Sequence, residues 1–405
     1  MRRAVLALLL AGCTPTVLPA DPPPRYWTPP PSSDDDDDAG DETHPVYDAW
    51  TVQEIVLTTT PEAVEALRET PRSWVEADLH FNDVVVARVG LRLKGSASFQ
   101  DVDRKPAMKI KMAEYVPEQR LHDLERLTLN NEVHDPSMMS ENLGFRAFRE
   151  NGAPAPRTGY AAVTLNDRYL GLYALIESMD DDFMEANWPD AEGGLWEMTR
   201  NCDFDGDCTC FELQETGVQY DPQGIFTGCE AVARSGVGAL DEAFDRDAVL
   251  GFLAVERALN HPDSYSYNLN NFFVHHDPLE QKLTLTPWGA DSMFTYWTPA
   301  SRSNPSCEPL YRDVLVTNPR GLLGRLCYGD VACSDELAAR VVEVADWIDD
   351  VDLIGAMEAT RDMLDPYVPL ETHVNWTADD RRRRIDCFGE WTAARPDELR
   401  SRFGR

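Results

Sequence analysis

The sequence predicts an α+β protein in which a sheet-rich part precedes a helix-rich part. Short segments with alternating apolar and polar residues, typical of strands, dominate residues 75–176, whereas long amphipathic segments, typical of helices, dominate from residue 247 onward. Strands and helices do not alternate along the chain, which argues against a parallel α/β fold. The hydrophobic content of 43% supports a folded core, and eight cysteines after residue 200 favour disulfides.

The N-terminus has the pattern of an export signal. Two arginines precede a short apolar run, Ala4–Leu10, which is too short to span a bilayer as a helix. The run ends in LAGC, which is similar to the lipobox of bacterial lipoproteins. We therefore expect residues 1–13 to be a lipoprotein signal, with Cys13 lipidated, in an exported protein of the bacterial outer membrane or cell surface. An ordinary signal peptide with a chance cysteine is the alternative.

Residues 14–48 are rich in Pro, Ser and Asp and have no periodicity that would bury a face. Proline favours extended backbone, and the five aspartates Asp34–Asp38 repel one another and stay solvated. We expect a disordered tether that carries a folded domain over residues 49–405. Calcium binding by the aspartate run is the alternative.

Charge and hydropathy limit the partners. The formal net charge of −34 argues against a nucleic-acid partner, because no basic face offsets phosphate repulsion. After residue 13 no apolar run reaches spanning length, so we expect membrane contact through the lipid anchor only.

The cysteines other than Cys13 number eight, which favours disulfides in an exported chain. They fall into two groups, Cys202, Cys208, Cys210 and Cys229, then Cys307, Cys327, Cys333 and Cys387. We expect pairing within each group. A zinc site at the first three cysteines is the alternative.

The first part of the folded chain reads as strands around one helix. VEADLHF, VVVARVGLRLKG and PAMKIKM are predicted strands, and LNDRYLGLYALIES is part of a hairpin that turns at Asn166-Asp167. HDPSMMSENLGFRAFRENG is a predicted helix with Asp135 as its cap and Gly152 at its exit.

The second part begins with the predicted helix DAVLGFLAVERALN, which Pro262 helps to end. NNFFVHH and KLTLTPW follow as a strand pair, and SDELAARVVEVADWIDD is a predicted helix with Ser334 as its cap.

Four polar residues follow these elements closely: Asp263, Asn268, Asn271 and Asp291. Their positions after a helix and a hairpin can bring two carboxylates and a carboxamide to one edge of a small sheet. Hard oxygen ligands suit Mg²⁺ held between protein and phosphates, and a carboxylate off the metal can orient an acceptor hydroxyl. Turn formation or helix capping is the alternative role for such residues.

From Leu91 to Phe294 the chain resembles the spore-coat protein H (CotH) kinase family, secreted relatives of protein kinases. The matching segments, in family order, are RLKGSASF with RKPAMKIKM, LTLNNEVHDPSMMSENLGFRAF, LNDRYLGLYALIES, HPDSYSYNLNNFFVHHDP and LTPWGADSMF. The resemblance implies an atypical kinase-like bilobal domain, with a sheet-rich N-lobe over about 49–200 and a helix-rich C-lobe over about 201–405. It also implies ATP with Mg²⁺ or Mn²⁺, and γ-phosphoryl transfer to hydroxyls of envelope or extracellular proteins.

The resemblance assigns roles to individual residues. Asp263 matches the catalytic-loop aspartate, the candidate base, and Asp291 matches the metal-binding aspartate. The metal-binding asparagine is either Asn268, which the spacing from Asp263 favours, or Asn271, which the register against NNFF favours.

The same resemblance implies that Lys105 and Lys109 face the ATP phosphates and that Glu177 orients the lysine. A surface position for Lys105 and a solvated strand end for Glu177 are the alternatives. Two departures from the family pattern stand out. Gly289 replaces the first acid of the usual Trp-Asp-x-Asp, and KGSAS, with its single Gly95, is the nearest approach to a glycine-rich phosphate loop.

A separate segment, CDFDGDCTC, resembles the front of a calcium loop, because Asp203, Asp205 and Asp207 alternate around Gly206. A disulfide-tied turn is the alternative. Two other functions remain alongside kinase activity: a non-catalytic surface protein with a kinase-like fold, with or without bound calcium, and transfer of a nucleotidyl group.

Overall fold

A computed structural model describes residues 44–189, 193–199, 201–294 and 319–404. The predicted signal with Cys13, nearly all of the tether, and Cys307 lie outside these residues. In the described part the chain is an α+β protein, as predicted, but the first sheet closes on itself.

The first sheet is a closed seven-stranded barrel with neighbours in the order β1-β2-β3-β4-β5-β7-β6. Its strands are β1 (Val52–Thr58), β2 (Val75–Phe81), β3 (Val84–Lys94), β4 (Ala107–Lys111), β5 (Arg126–Asn130), β6 (Thr158–Leu165) and β7 (Arg168–Ile176). Strand β2 alternates strictly between buried and exposed residues, so one face fills the interior. The predicted strands and hairpin are confirmed, whereas closure depends on the parallel pairing of β1 with β6, which we did not predict.

The second sheet is antiparallel, with strands in the order β11-β10-β8-β9. Its strands are β8 (Gly194–Met198), β9 (Phe211–Thr216), β10 (Phe272–Asp277) and β11 (Lys282–Pro287). The hairpin of β10 and β11 confirms the predicted strand pair. Strands β8 and β9 have weaker alternation and were not predicted.

Eleven α-helices occur in the described part of the chain. They are α1 (Pro61–Glu69), α2 (Ser140–Glu150), α3 (Asp181–Asn187), α4 (Phe226–Ser235), α5 (Ala239–Glu242), α6 (Arg246–Ala258), α7 (Tyr265–Asn268), α8 (Leu322–Gly329), α9 (Val331–Asp350), α10 (Leu353–Leu364) and α11 (Ala378–Phe403). Helix α6 is buried from Ala248 to its end and packs against α9, which also packs against α11. None of these helices is both long and apolar enough to cross a membrane.

Two helices begin at positions other than those predicted. Helix α2 starts at Ser140, because the Asp135 carboxylate accepts the N–H groups of Ser137 (3.0 Å), Met139 (3.1 Å) and Ser140 (2.9 Å) and so closes a separate turn before the helix. Helix α9 starts earlier than predicted, because Asp330, and not Ser334, accepts the N–H group at its first turn.

Apolar side chains form two large clusters. One fills the barrel, with residues such as Leu57, Leu79 and Ile110. The other joins helices α2, α6, α9 and α11 to the second sheet, with residues such as Phe148 and Phe252. The polar groups of the candidate site lie at the ends of strands and helices, in the loop after α6, in the first turn of α2 and in the turn after β11.

The disulfides join cysteines of the same group, as predicted: Cys202–Cys210, Cys208–Cys229 and Cys327–Cys333. Cys387 is disulfide-bonded as well. The zinc alternative at the first group is wrong, because these thiols are used up in two crosslinks. The Cys202–Cys210 and Cys208–Cys229 disulfides together fix the loop between β8 and β9.

A buried guanidinium connects the end of the chain to the turn before α2. Arg384 of α11 lies 3.3 Å from the Asp135 carboxylate, and both side chains are almost fully buried, 2% and 0% exposed. Arg384 also donates to Ser140 Oγ (3.0 Å) and to the carbonyl of Met293 (3.1 Å). One side chain therefore holds α11, α2 and the turn after β11 together.

We predict that Arg384→Met lowers the free energy of unfolding by about 3–5 kcal/mol, because it leaves the Asp135 carboxylate buried without its cation. Urea unfolding of the two proteins measures the difference. Arg382→Met on the same helix is the control. Its ion pair with Asp379 is exposed (69% and 79%), so we expect a loss of about 0–1 kcal/mol. Equal losses in the two variants would contradict the role of the buried pair.

Candidate active site

The loop after α6 places Asp263 inside a group of carboxamides. One carboxylate oxygen accepts a hydrogen bond from Asn268, and the other accepts from Asn270 (3.1 Å) and Asn271 (2.9 Å). Asn271 also donates to the main-chain carbonyl of Asp263 (2.8 Å). The three asparagines orient the carboxylate, and Asn270 is a partner that we did not predict.

Glu256 stabilises this loop through hydrogen bonds to its main chain. Its fully buried carboxylate accepts the N–H groups of Tyr265 (3.1 Å) and Ser266 (3.0 Å), at the start of the short helix α7. Burial raises the pKa of Glu256 to about 8, although these hydrogen bonds lower it. The carboxyl group therefore stays protonated at pH values well above its ordinary pKa.

The turn after β11 brings Asp291 close to the same loop. Trp288 N–H donates to the carbonyl of Asn271 (3.0 Å), and the ring nitrogen Nε2 of His261 lies 3.2 Å from the carbonyl of Gly289. Burial lowers the pKa of His261, while the charges of Asp263 and Asp291 oppose this change. Both carboxylates therefore act on one buried imidazole.

Gly289 allows the turn after β11 to lie close to the side chain of Asn271. Its φ is +54°, and a Cβ atom there would lie only 2.8 Å from the carboxamide of Asn271. An L-residue is disfavoured at this φ. The glycine that replaces the usual acid therefore leaves room for Asn271 to bind Asp263.

Helix α2 packs closely on the Asp291 turn, because a Cβ at Gly144 would lie 2.5 Å from the sulfur of Met293. Glu141, in the first turn of α2, accepts from the carboxamide of Asn130 at 2.8 and 2.9 Å. Lys94, the last residue of β3, donates to the oxygen of that carboxamide. Asn130 thus bridges a lysine and a glutamate.

The charges of Glu141 and Asp291 shift the pKa values of the side chains around them. Burial lowers the pKa of Lys94 to about 8, while Glu141 and Asp291 oppose the decrease. Burial and the charge of Asp291 raise the pKa of Glu141 to about 7. His134 Nδ1 lies 3.6 Å from Asp291, which raises the pKa of His134.

A further carboxylate, that of Glu132, is 4% exposed and accepts no hydrogen bond from any described residue. Its pKa is raised well above the ordinary range by burial and then by the charges of Glu141, Asp135 and Asp291. Carboxylate oxygens are the ligands that Mg²⁺ and Mn²⁺ prefer. Glu141 and Asp291 act on Lys94, and a divalent cation bound nearby would favour the charged forms of the buried carboxyl groups.

The predicted nucleotide-binding pair does not form. The Lys105 ammonium is fully buried and lies 2.7 Å from Glu371, whose carboxylate also accepts Leu172 N–H. Glu177 is 2% exposed and accepts from Arg157 at 2.6 and 3.0 Å. Both residues serve as internal ion pairs, so Glu177 does not orient Lys105.

Lys109 is placed differently from Lys105. It pairs across β3 and β4 with Arg92, while Lys94 pairs with Ala107, so Lys94 and Lys109 share one face. Burial lowers the pKa of Lys109, and Arg92 lowers it further. Lys109 stays a candidate for phosphate contact.

The predicted calcium loop does not form a cation site. Asp203 is 5% exposed, and its carboxylate accepts from Tyr265 Oη (2.9 Å), Phe204 N (2.9 Å) and Leu322 N (2.8 Å). Asp205 and Asp207 are exposed. In the described chain, the acids whose oxygens cluster closely enough for a metal are Asp180, Asp181 and Asp182.

The sequence reasoning missed Lys94 and Glu141. Lys94 ends a strand in which Leu91 and Leu93 face the barrel interior, so alternation alone places its side chain on the same face as Lys109. Glu141 lies inside the helix predicted from Asp135, and only its position in the first turn distinguishes it.

A comparison with known families identifies the family of this chain. The family model described as CotH kinase protein matches residues 91–369, well over half of the chain. The chain belongs to the CotH kinase family. The match confirms the resemblance drawn from the motifs and makes the protein kinase-like.

One solved structure that aligns with this CotH kinase family member is the Helicobacter pylori proinflammatory kinase CtkA. It covers 75% of this chain and 96% of its own, with 10% identity and a TM-score of 0.29. The search of curated proteins gives no match.

We predict that Gly289→Ala lowers the free energy of unfolding by about 1–2 kcal/mol, because a Cβ is disfavoured at this φ and presses on Asn271. Urea unfolding measures the change. Gly389→Ala is the control: it lies inside helix α11 with nothing within 4 Å, so we expect a gain of about 0.5–1 kcal/mol. A gain at both positions would contradict the packing of Gly289 on Asn271.

We also predict a pH dependence from Glu256. Its folded pKa of about 8 lies above its ordinary value of 4.5, so its contribution to stability is complete below pH 4.5 and is lost as the pH rises through 8. Glu256→Gln does not titrate, so its unfolding free energy should fall less between pH 5 and pH 8. Urea unfolding across that range tests this, with exposed Glu280→Gln as the control. Parallel curves for wild type and Glu256→Gln would contradict the raised pKa.

Proposed function

We propose that this protein transfers the γ-phosphoryl group of ATP to hydroxyl groups of envelope or extracellular proteins. The observation that carries the proposal is that Asn271 joins the Asp263 loop to the turn that carries Asp291. Its carboxamide donates to the Asp263 carboxylate (2.9 Å), and its main-chain carbonyl accepts Trp288 N–H (3.0 Å). The Asp291 turn also packs on the helix that carries Glu141. Membership of the CotH kinase family supports the reaction class.

Asp263 is the candidate base. Its carboxylate is oriented by three asparagines, as positioning requires in phosphoryl transfer. As the acceptor oxygen forms a bond to the γ-phosphorus, its proton passes to Asp263. The bond between that phosphorus and the bridging oxygen breaks, and ADP leaves.

Asp291 and Asn271 are the candidate ligands for Mg²⁺ or Mn²⁺. Both are oxygen donors, and the contact of Asn271 with Gly289 brings it against the Asp291 turn. Asn268 remains a partner of Asp263 in this proposal. The cation, when bound with ATP, supplies charge neutralisation on the phosphates.

Lys94 is the candidate phosphate contact in place of Lys105. It is oriented by Asn130, which is itself held by Glu141. Its ammonium also lies 5.4 Å from the ring centre of Trp288, beside the Asp291 turn. Lys109, on the same face of the sheet, is the second candidate.

The proposed location and acceptors rest on the N-terminal sequence. Export through residues 1–13 and lipidation at Cys13 would hold the domain at the cell envelope, with residues 14–48 as a spacer. Envelope or extracellular proteins are then the acceptors within reach.

The test is label transfer from γ-labelled ATP with Mn²⁺ to casein and to the protein itself, with disulfides intact. We predict that Asp263→Asn and Asp291→Asn each reduce transfer by about 100-fold or more. Lys94→Met should raise the KM for ATP. Asp207→Asn, an exposed aspartate of the β8–β9 loop, is the control and should keep full activity.

The outcomes separate the alternatives. Absence of transfer with a thermal shift on adding ATP and Mn²⁺ would make the protein a nucleotide-binding surface protein. Label from α-labelled ATP on the protein would indicate nucleotidyl transfer. Transfer that survives both aspartate changes would reject these residues as the site.

A further inference from the structure

A cleft lies beside helix α2, on a different surface from the Asp263 loop. Its lining combines aromatic and cationic side chains with a carboxamide, namely Tyr47, Trp50, Asn142, Arg146, Arg149 and Arg157. Among the described residues that line it, three are arginines and none is Asp or Glu.

The arginines are held rigidly by neighbouring groups. Arg146 Nε donates to Glu150 (2.6 Å), Arg149 Nη1 donates to the carbonyl of Pro156 (2.5 Å), and Arg157 pairs with Glu177. Side-chain exposure is only 11% at Arg146 and 16% at Arg157. Glu150 and Glu177, which do not line the cleft, balance two of these guanidinium charges, and Arg149 donates to a main-chain carbonyl, so the lining keeps a positive charge that favours an anionic ligand.

Asn142 adds an independent observation. It is 5% exposed and lines the cleft, and neither atom of its carboxamide has a hydrogen-bond partner among the described residues. Such a buried group is costly unless a ligand satisfies it. A carboxamide offers one acceptor and a donor group, which matches the C=O and N–H of a peptide unit.

We propose that the cleft binds the chain's own aspartate run, Asp34–Asp38. The arginines would bind its carboxylates, Asn142 would bind a peptide unit, and Trp50 would supply apolar contact. Connectivity favours this occupant, because only eight residues separate Asp38 from Tyr47 on the rim. That length spans at most about 30 Å, which keeps the run at a high effective concentration near the cleft.

The proposal goes beyond phosphoryl transfer and does not depend on it. Asn142 and Arg146 belong to α2, the helix that also carries Glu141. The aspartate run would therefore contact an element of the candidate active site from another surface. Salt should weaken the contact, since exposed charges are screened.

The experiment measures binding of a fluorescent peptide, PPSSDDDDDAGDE (residues 30–42), to the full chain by anisotropy. The receptor is the full chain in which Asp34–Asp38 are changed to asparagine. We expect salt-sensitive binding, weakened at least tenfold by Arg146→Gln and by Asn142→Leu. Arg88→Gln, in an exposed ion pair with Glu76, should leave binding unchanged.

Asn142→Leu guards against a folding failure, because replacing an unsatisfied buried amide with an apolar group does not by itself destabilise the protein. The wild-type chain should bind the probe about tenfold more weakly than the asparagine receptor, because its own run competes. Two results would overturn the proposal. One is that the wild-type chain and the asparagine receptor bind the peptide with equal affinity. The other is that the Arg146→Gln and Asn142→Leu variants bind the peptide as tightly as the asparagine receptor does.

Discussion

The buried guanidinium of Arg384 is the constraint on which the candidate site depends. It reaches from the C-terminal helix to Asp135, Ser140 and the carbonyl of Met293. Burying such a charge is costly unless its partners are complete, so the arrangement tolerates little displacement. Because Ser140 precedes Glu141 and Met293 follows Asp291, the same contact brings those two carboxylates together. Residues near the end of the chain thus shape a site built from its middle.

The candidate site also contains several acidic groups that are buried close to one lysine. Glu132, Glu141 and Asp291 repel one another in a buried setting, and Lys94 offsets them only in part. Burial first, and then this repulsion, raises the pKa values of Glu132 and Glu141. Binding of a divalent cation with phosphates, as the proposed function requires, would relieve that repulsion.

The replacement of the usual acid by Gly289 has a structural consequence and is not simply a loss. The left-handed backbone and the short distance to Asn271 leave no room for a side chain. Asn271 instead occupies the space between Asp263 and the Asp291 turn. Its side-chain NH₂ group donates to the main-chain carbonyl and to one carboxylate oxygen of Asp263. An asparagine of the Asp263 loop thus lies next to the turn that carries Asp291.

Local patterns predicted much of the fold and part of the site. Alternation predicted β2, β3 and β4, the Asn166-Asp167 turn predicted its hairpin, and even cysteine groups predicted pairing within groups. These features depend on neighbouring residues, so the sequence contains them. Asp263 with Asn268 and Asn271 also came together as predicted, because they lie within nine residues.

The sequence by itself determined the strands, the main helices, the family and the grouping of Asp263 with its asparagines, since each rests on short-range periodicity or a contiguous motif. Only the tertiary structure decided which lysine faces the site. Lys105 and Lys94 are both next to strands, but closure of the barrel buries Lys105 against Glu371, 266 residues away, while Lys94 meets Asn130 and Glu141. Such long-range pairing depends on how the barrel closes and on where α11 packs, and no local pattern specifies either.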